Sequence, residues 1–339
     1  MNSRNLPTSN GLTRGERALL AVFPASVEII EPLSGQDSGL VVNGHAIGVK
    51  WVGQGHLGDV RPVINDRPGE DVVLVARHMS PGARKALSEG GLNWADESGA
   101  AEISIGPIVI SRTGSPKKVD KTIKRWSPAV ISVAEALLCG THGTQSATQA
   151  ATGLSAGSCT NALHFLSEQT LVESKAKRGP ASARYVTNPR ALLTAYAEAV
   201  AGQPPDIEVQ IGVTWQDMIS GMAELGHHFD SRATDWAVTG TAAAAIIAPY
   251  LSSVARVTVY VDAQSIAELQ ALASSAKLRP IQDGRLMLKP FPTGAVQHLS
   301  NVIDGLHIAP WPRVYADLLG EGVRGEEAAE HLFEVVHGR

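Results

Sequence analysis

The sequence predicts a mixed α/β protein of several domains, and three observations carry that prediction. The chain has 339 residues, more than one ordinary domain uses, so two or three domains are expected. Apolar residues make up 44% and charged residues 18%, a balance that buries cores rather than leaving a chain disordered. Short apolar runs bounded by turn residues alternate with helical periodicity towards both ends, while the middle is helical and then basic.

Residues 1–15 are polar and are expected to fray. From 16 to 112 the pattern is that of an α/β domain. Glu16–Phe23 reads as a helix, Gly39–Val42 and Ala46–Val52 read as strands, and Asp71–Ala76 is a short apolar run typical of a buried strand. Ser80 and Pro81 open a helix, because a serine oxygen accepts from an orphan amide and a proline has no amide to orphan. That helix stops at Gly90-Gly91. Leu92–Asp96 and Ala101–Ile105 then read as a hairpin through Glu97-Ser98-Gly99. Residues 113–126, with Ser115-Pro116-Lys117-Lys118, read as a linker.

The central stretch, 126–190, carries the most specific pattern. Ser127-Pro128 starts a helix to Leu138, whose Val130, Val133, Ala134, Leu137 and Leu138 fall at the spacing of one core face. A short polar helix around Ser146–Ala151 meets the turn Thr152-Gly153-Leu154. A third helix, Ser155 to Glu168, packs through Ala162, Leu163, Leu166 and, past its end, Leu171. A strand, a basic loop (Lys175 to Pro180) and a second strand at Ala183–Val186 complete it. Helix, helix, tight glycine turn, helix and basic hairpin is the order of a winged helix-turn-helix, which lays its last helix in the DNA major groove.

Charge supports the same stretch. Residues 112–190 carry eleven Lys/Arg against four Asp/Glu, a net of +7, which leaves −11 on the remainder of a chain whose total is −4. A linker run (Lys117, Lys118, Lys121, Lys124, Arg125) explains half of the excess, and the rest falls on the hairpin. Positive charge confined to one module is the electrostatic footprint of a DNA reader. The candidate DNA-binding residues are Ser155, Ser158, Thr160, Asn161 and His164 on the third helix, and Lys175, Lys177, Arg178 and Arg184 on the hairpin. Asn pairs bidentately with adenine and Ser or Thr contacts several bases, whereas the hairpin cations neutralise phosphates. Ser155 has a second role open to it, as the helix cap.

Beyond Pro189–Ala201, read as a helix, Gly202-Gln203-Pro204-Pro205 marks a second boundary, and a C-terminal α/β domain is expected over 206–339. Trp215–Leu225, Thr241–Leu251, Ala263–Ala276, Trp311–Leu319 and Gly325–Val336 read as helices. Val257–Val261 and Leu286–Leu288 read as strands. His227-His228, near Asp230, is placed on a surface loop.

Both outer domains resemble enzyme scaffolds. The Val41–Val52 strand pair followed by Asp71–Ala76 resembles the core of restriction-endonuclease-like folds, but Gly48-Val49 precedes Lys50 where an acid is needed for metal-dependent cleavage. Val238–Ala242 followed by Val257–Asp262 looks like a nucleotidyltransferase core, with Asp262 alone and Tyr260 where its partner acid would sit. No catalytic residue, metal site or cofactor is therefore expected. Cys139 and Cys159 read as core thiols in a reducing compartment.

Four segments, Ala242–Tyr250, Val259–Asp262, Val314–Leu319 and Arg324–Ala329, together resemble the AbiEi-like antitoxin and transcriptional-regulator family of type IV toxin–antitoxin systems. The resemblance covers about residues 126–336. It implies a winged helix joined to a nucleotidyltransferase-like domain, repression at the protein's own promoter, and a toxin protein as partner. The N-terminal α/β domain departs from the shortest members of that family. The expectation is a non-enzymatic, sequence-specific regulator of double-stranded DNA, with flanking domains for homodimer formation or signal sensing. An enzyme acting on nucleic acid is the alternative. No membrane segment and no signal-peptide core is seen, so a cytoplasmic location is expected.

Overall fold

The structure is a computed structural model and describes residues 12–24, 29–32, 38–114, 126–176, 183–204, 207–250 and 253–338. The protein is mixed α/β. It divides into two compact units, Met1–Thr122 and Ile123–Arg339.

In the first unit, α1 (Arg14–Val22) is followed by β1 (Ile29–Pro32), β2 (Gly39–Val42) and β3 (His45–Trp51). Then come α2 (Leu57–Asn65), β4 (Val72–Ala76), α3 (Pro81–Glu89), β5 (Asn93–Asp96), β6 (Ala101–Ile105) and β7 (Ile108–Arg112). Among the described residues seven strands pair side by side in chain order. β3, β4 and β5 are parallel to one another, and the remaining neighbours are antiparallel. Parallel neighbours need crossovers, which α2 and α3 supply. β4 is the apolar run of the sequence, with Val73 to Ala76 buried because helices cover both faces of the sheet. Leu19 and Val22 of α1 pack with Leu40, Ile47, Val73 and Val75 on one face. Leu57, Val60, Ala83 and Leu87 pack with Leu74 and Trp94 on the other.

Local chemistry explains most ends in this unit. Thr13 and Glu16 form a reciprocal capping box at the start of α1, and Ser80 caps α3 ahead of Pro81. The hairpin through Glu97-Ser98-Gly99 forms as expected, β5 against β6. α2 has no strong signal in the sequence because Gly58 and Pro62 lie within it. Its start is held by Asp59, whose carboxylate accepts from the amides of Gly55 at 3.0 Å and His56 at 3.1 Å.

The second unit opens with α4 (Pro128–Leu138), α5 (Gln145–Thr152), α6 (Ala156–Glu168) and the strands β8 (Val172–Ser174) and β9 (Arg184–Val186), which pair as a two-stranded ribbon. After α7 (Pro189–Ala201) the chain continues through β10 (Val209–Gly212), α8 (Met218–Asp230), β11 (Trp236–Thr239), α9 (Gly240–Ile247), β12 (Val257–Val261) and α10 (Ile266–Ser275). It closes with β13 (Arg279–Pro280), β14 (Leu286–Pro290), α11 (Gly294–His298), β15 (Asn301–Ile303), β16 (Leu306–Ile308), α12 (Trp311–Leu319) and α13 (Val323–His337). Its seven-stranded sheet has the order β13-β10-β14-β12-β11-β16-β15, with β12 and β14 parallel and β11 and β12 antiparallel.

Three local expectations change. α8 starts at Met218, where the Asp217 side chain accepts from the Ser220 amide, and runs on through His227 and His228. The two histidines thus sit in the last turn of a helix rather than on a loop, because Phe229 beyond them is buried and holds the turn in place. α9 stops at Ile247, two residues before Pro249, which has no amide to continue it.

The largest difference concerns α4. The sequence predicts one buried face, yet every residue from Val130 to Leu137 is buried. α5, α6, α7, α11 and α12 all pack against it. Accordingly one hydrophobic core runs without a break from Val133, Leu163 and Tyr196 to Trp236, Val259 and Leu288. The segments 126–190 and 206–339 therefore share their interior. No helix among the described residues is long and apolar enough to cross a membrane.

This shared core predicts a shared stability. Leu163→Ala, at a fully buried position of α6, is expected to destabilise by about 2–5 kcal/mol. Hydrogen-exchange mass spectrometry will show faster exchange at the β12 amides as well as within 126–190. Acceleration confined to 126–190 would contradict one cooperative unit.

Candidate nucleic-acid interface

The interface is built on α6. Ser155 is its cap: Oγ accepts from the Ser158 amide at 3.2 Å and donates to Ser158 Oγ at 2.9 Å. The cap role left open for Ser155 is the one seen, and it occupies Ser158 as well. Cys159, Ala162, Leu163 and Leu166 are turned into the core. That leaves Gly157, Thr160, Asn161, His164 and Glu168 as an exposed stripe at three- and four-residue spacing.

The members of the stripe differ in what they offer. Thr160 Oγ1 donates to the Ala156 carbonyl at 3.0 Å, so its oxygen is left as an acceptor beside an exposed methyl. Asn161 has no hydrogen-bond partner among the described residues, and its amide presents a donor and an acceptor to solvent. His164 Nε2 lies 3.4 Å from Glu168 Oε1, an exposed pair of little energetic weight. Asn161 and Ser158 line a groove of about 520 Å³ whose floor is Val130, Ala162 and Phe165.

The ribbon follows directly. Lys175 is exposed, with Nζ 6.0 Å from the centre of the Tyr185 ring across the strand pair. Tyr185 is itself exposed, and its hydroxyl donates to Glu173 at 3.2 Å. That bond to Glu173 raises the phenol above its ordinary range. Arg184 is half-buried: its backbone bridges Gly143 and its Nε donates to Ser167 Oγ at 3.3 Å, which ties the ribbon to α6. Lys177 and Arg178, like the linker cations Lys117 to Arg125, lie outside the described residues. α6 and the ribbon therefore bring Thr160, Asn161, His164 and Lys175 to exposed positions, while Ser155, Ser158 and Arg184 make internal bonds.

The turn before α6 is clamped. Gly153 adopts φ +68°, the left-handed conformation that ends α5, and a Cβ there would lie 2.6 Å from the His298 ring of α11. A Cβ on Gly294 would run into the Thr152 carbonyl. Close packing of α11 on the turn thus needs glycine on both sides.

Below the clamp lies a polar network. Glu135 of α4 is fully buried and accepts hydrogen bonds from Tyr196 of α7 at 2.5 Å and from the Thr293 hydroxyl, which also caps α11. Ser132 Oγ accepts from the Ala295 amide at 3.2 Å. Arg313 Nε contacts Asp317 at 3.0 Å and donates to Tyr260 at 2.9 Å. Asp317 in turn accepts from Tyr260 at 2.8 Å and from Thr239 at 2.6 Å. Burial pushes the Glu135 carboxyl up to about 7, and the nearby Arg313 charge and the two hydroxyl donors pull against it. Burial and the Glu135 charge push the Cys139 thiol up to about 12, so it is no nucleophile near neutral pH.

A comparison with family models, curated proteins and solved structures finds no match in any of the three. The residues themselves carry the functional reading.

Sequence reasoning missed this network. One signal was legible: Glu135 stands between Ala134 and Ala136 in a helix apolar nearly all round, and such a helix is buried on every side. Next to Thr239, Gly240 opens α9 at φ +63°, and the Glu321 carboxylate accepts from the Thr241 amide at 3.3 Å. A carboxylate of the chain itself therefore takes the helix start. Tyr260 is committed to Asp317 and Arg313, while Asp262 is exposed at the end of β12. Among the described residues no three His, Cys, Asp or Glu side chains converge as a metal-binding group.

Glu135 makes stability depend on pH. Its folded value of about 7 lies above the ordinary 4.5, so the folded state holds the proton more tightly than the unfolded chain. The stabilisation is complete below about pH 4.5 and is lost as pH rises through 7. Chemical denaturation of wild type and Glu135→Gln across pH 4.5–8 is the check. Part of the wild-type decline, on the order of a few kcal/mol, is expected to vanish in the variant. Parallel pH profiles for the two proteins would contradict the assignment.

Proposed function

We propose that the protein is a sequence-specific DNA-binding transcriptional regulator that reads its site with α6 and holds the backbone with the β8–β9 ribbon. The observation that carries this reading is the exposed Thr160–Asn161–His164 stripe on a helix otherwise anchored in the core, directly followed by a strand ribbon that holds Lys175 in solvent. α5, the Gly153 turn, α6 and the ribbon support a winged helix-turn-helix architecture, in which polar side chains of the last helix reach base edges. Asn161 is the best-placed base reader, since nothing in the described chain competes for its amide. Thr160 and His164 flank it, and Lys175 with the sequence neighbours Lys177 and Arg178 supplies phosphate contacts.

The flanking folds fit the same proposal as scaffolds. In the first unit a helix, an antiparallel meander and a helix leading to a parallel strand support a restriction-endonuclease-like core. In the second, a helix opening at Gly240 between antiparallel β11 and β12 supports a nucleotidyltransferase-like core. Tyr260 tied to Asp317, and Glu321 seated at the α9 start, favour a binding role for that core over nucleotide transfer. The family resemblance of the sequence adds autoregulation and a toxin protein as partner. On this reading the protein works in the cytoplasm, with its DNA.

Fluorescence anisotropy with duplex DNA from upstream of the protein's own coding region, at two salt concentrations, tests the proposal. Replacing Lys175, Lys177 and Arg178 together by Ala is expected to weaken binding to all sequences and to lower the salt slope by about 2–3. Asn161→Ala is expected to reduce discrimination against other sequences by about 1–3 kcal/mol while sparing non-specific binding. Affinity and salt slope unchanged in the triple variant would overturn the reading.

A further inference from the structure

A cavity of about 330 Å³ lies within the second unit, where the start of α4 and the turn before α6 meet the ends of the parallel strands β12 and β14. Its volume is at the small end of the range for ligand pockets, enough for one ring and a short polar substituent. The apolar walls are Pro128, Leu154 and the half-exposed ring of Phe291. The polar lining is Asp262, Gln264 and Gln297.

Charge and hydrogen-bonding capacity choose the ligand. The wall contains no Lys, Arg or His, so Asp262 is its single charge. Among the described residues the Asp262 carboxylate makes no hydrogen bond and no ion pair, which leaves both oxygens as acceptors. One N–H of the Gln297 amide donates to Asp235 at 2.6 Å, which sets a second carboxylate beside the wall and leaves that amide one further donor and its carbonyl oxygen, and the Gln264 amide adds a group that can donate or accept. The Thr293 hydroxyl is engaged, donating to Glu135, while Ser132 accepts from the Ala295 amide. The cavity therefore presents one unpaired carboxylate, its single charge, beside an aromatic face and neutral amide groups. An anion is repelled there, and a flat cation with several N–H donors is matched.

We propose that this cavity binds a small aromatic amine, with its ring against Phe291 and Leu154 and its cationic nitrogen on Asp262. The proposal goes beyond the DNA reading, and its test uses the full chain without DNA, so the two stand or fall separately. The probe is benzamidine, a planar cation, and the control is benzoate, an anion of similar size and shape.

Isothermal titration of the full-length protein is expected to show saturable benzamidine binding, with benzoate at least tenfold weaker. Asp262→Asn is expected to weaken benzamidine binding at least tenfold and to abolish the preference over benzoate. Phe291→Leu is expected to weaken it by a smaller factor while keeping the preference. Asp262 is exposed at a strand end, so circular dichroism will show the variant folded as wild type. Equal binding of the two probes, wild-type affinity in Asp262→Asn, or no saturable benzamidine binding would each overturn the proposal.

Discussion

The organisation of the second unit depends on one buried carboxylate. A charge in an apolar interior is costly unless it is hydrogen-bonded, and Glu135 meets that demand with donors from two directions, Tyr196 on α7 and Thr293 at the start of α11. These bonds tie both α7 and α11 to α4. With α5, α6 and α12 added, α4 has no face left for solvent. What the sequence suggests as a small helical module is consequently continuous with the C-terminal sheet, and its central helix belongs to both.

That constraint shapes the proposed DNA-reading surface. α11, held in place through Thr293 and the Ser132–Ala295 bond, presses His298 against Gly153 and so sets the angle at which α6 leaves α5. The clamp engages the turn and leaves the Thr160–Asn161–His164 stripe in solvent. At the other end of α6 the Arg184–Ser167 bond ties down the ribbon. α6 is thus held at both ends with one face open, as the proposed groove-reading role requires. A second ion pair strengthens the same frame: Arg190 of α7 makes a two-pronged contact to Glu330 of α13 at 2.7 and 2.9 Å, with Tyr315 donating to the same carboxylate at 2.8 Å.

Legibility varied with how local the controlling chemistry is. α3, α7, β12 and α12 stand where capping residues, prolines and apolar runs place them, since each of those signals acts within one turn or one strand. α2 was hidden by Gly58 and Pro62, and it forms because α/β packing on β4 repays an internal proline. The last turn of α8 holds two histidines that propensity alone leaves undecided, and the burial of Phe229 decides it. Among the proposed interface residues, the polar stripe of α6 was readable from periodicity. The engagement of Ser158 by Ser155, and of Arg184 by Ser167, was not, because each depends on where one side chain points.

By itself the sequence determined the mixed α/β class, most helix and strand positions, the core face of α6 and the concentration of positive charge between residues 112 and 190. All of these follow from short-range periodicity, capping and composition. Only the tertiary structure decided that α4 is buried on every side, that Glu135 joins three helices, and that Tyr260, Asp317 and Arg313 bind one another at the sheet. Those residues are brought together across separations of 61 to 158 positions around Glu135, and 53 to 78 positions around Tyr260 and Asp317. No local pattern encodes such encounters. They exist because a polar group buried in an apolar interior must find hydrogen-bond partners, and the packing that satisfies the Glu135 carboxyl also joins the two halves of the unit into one.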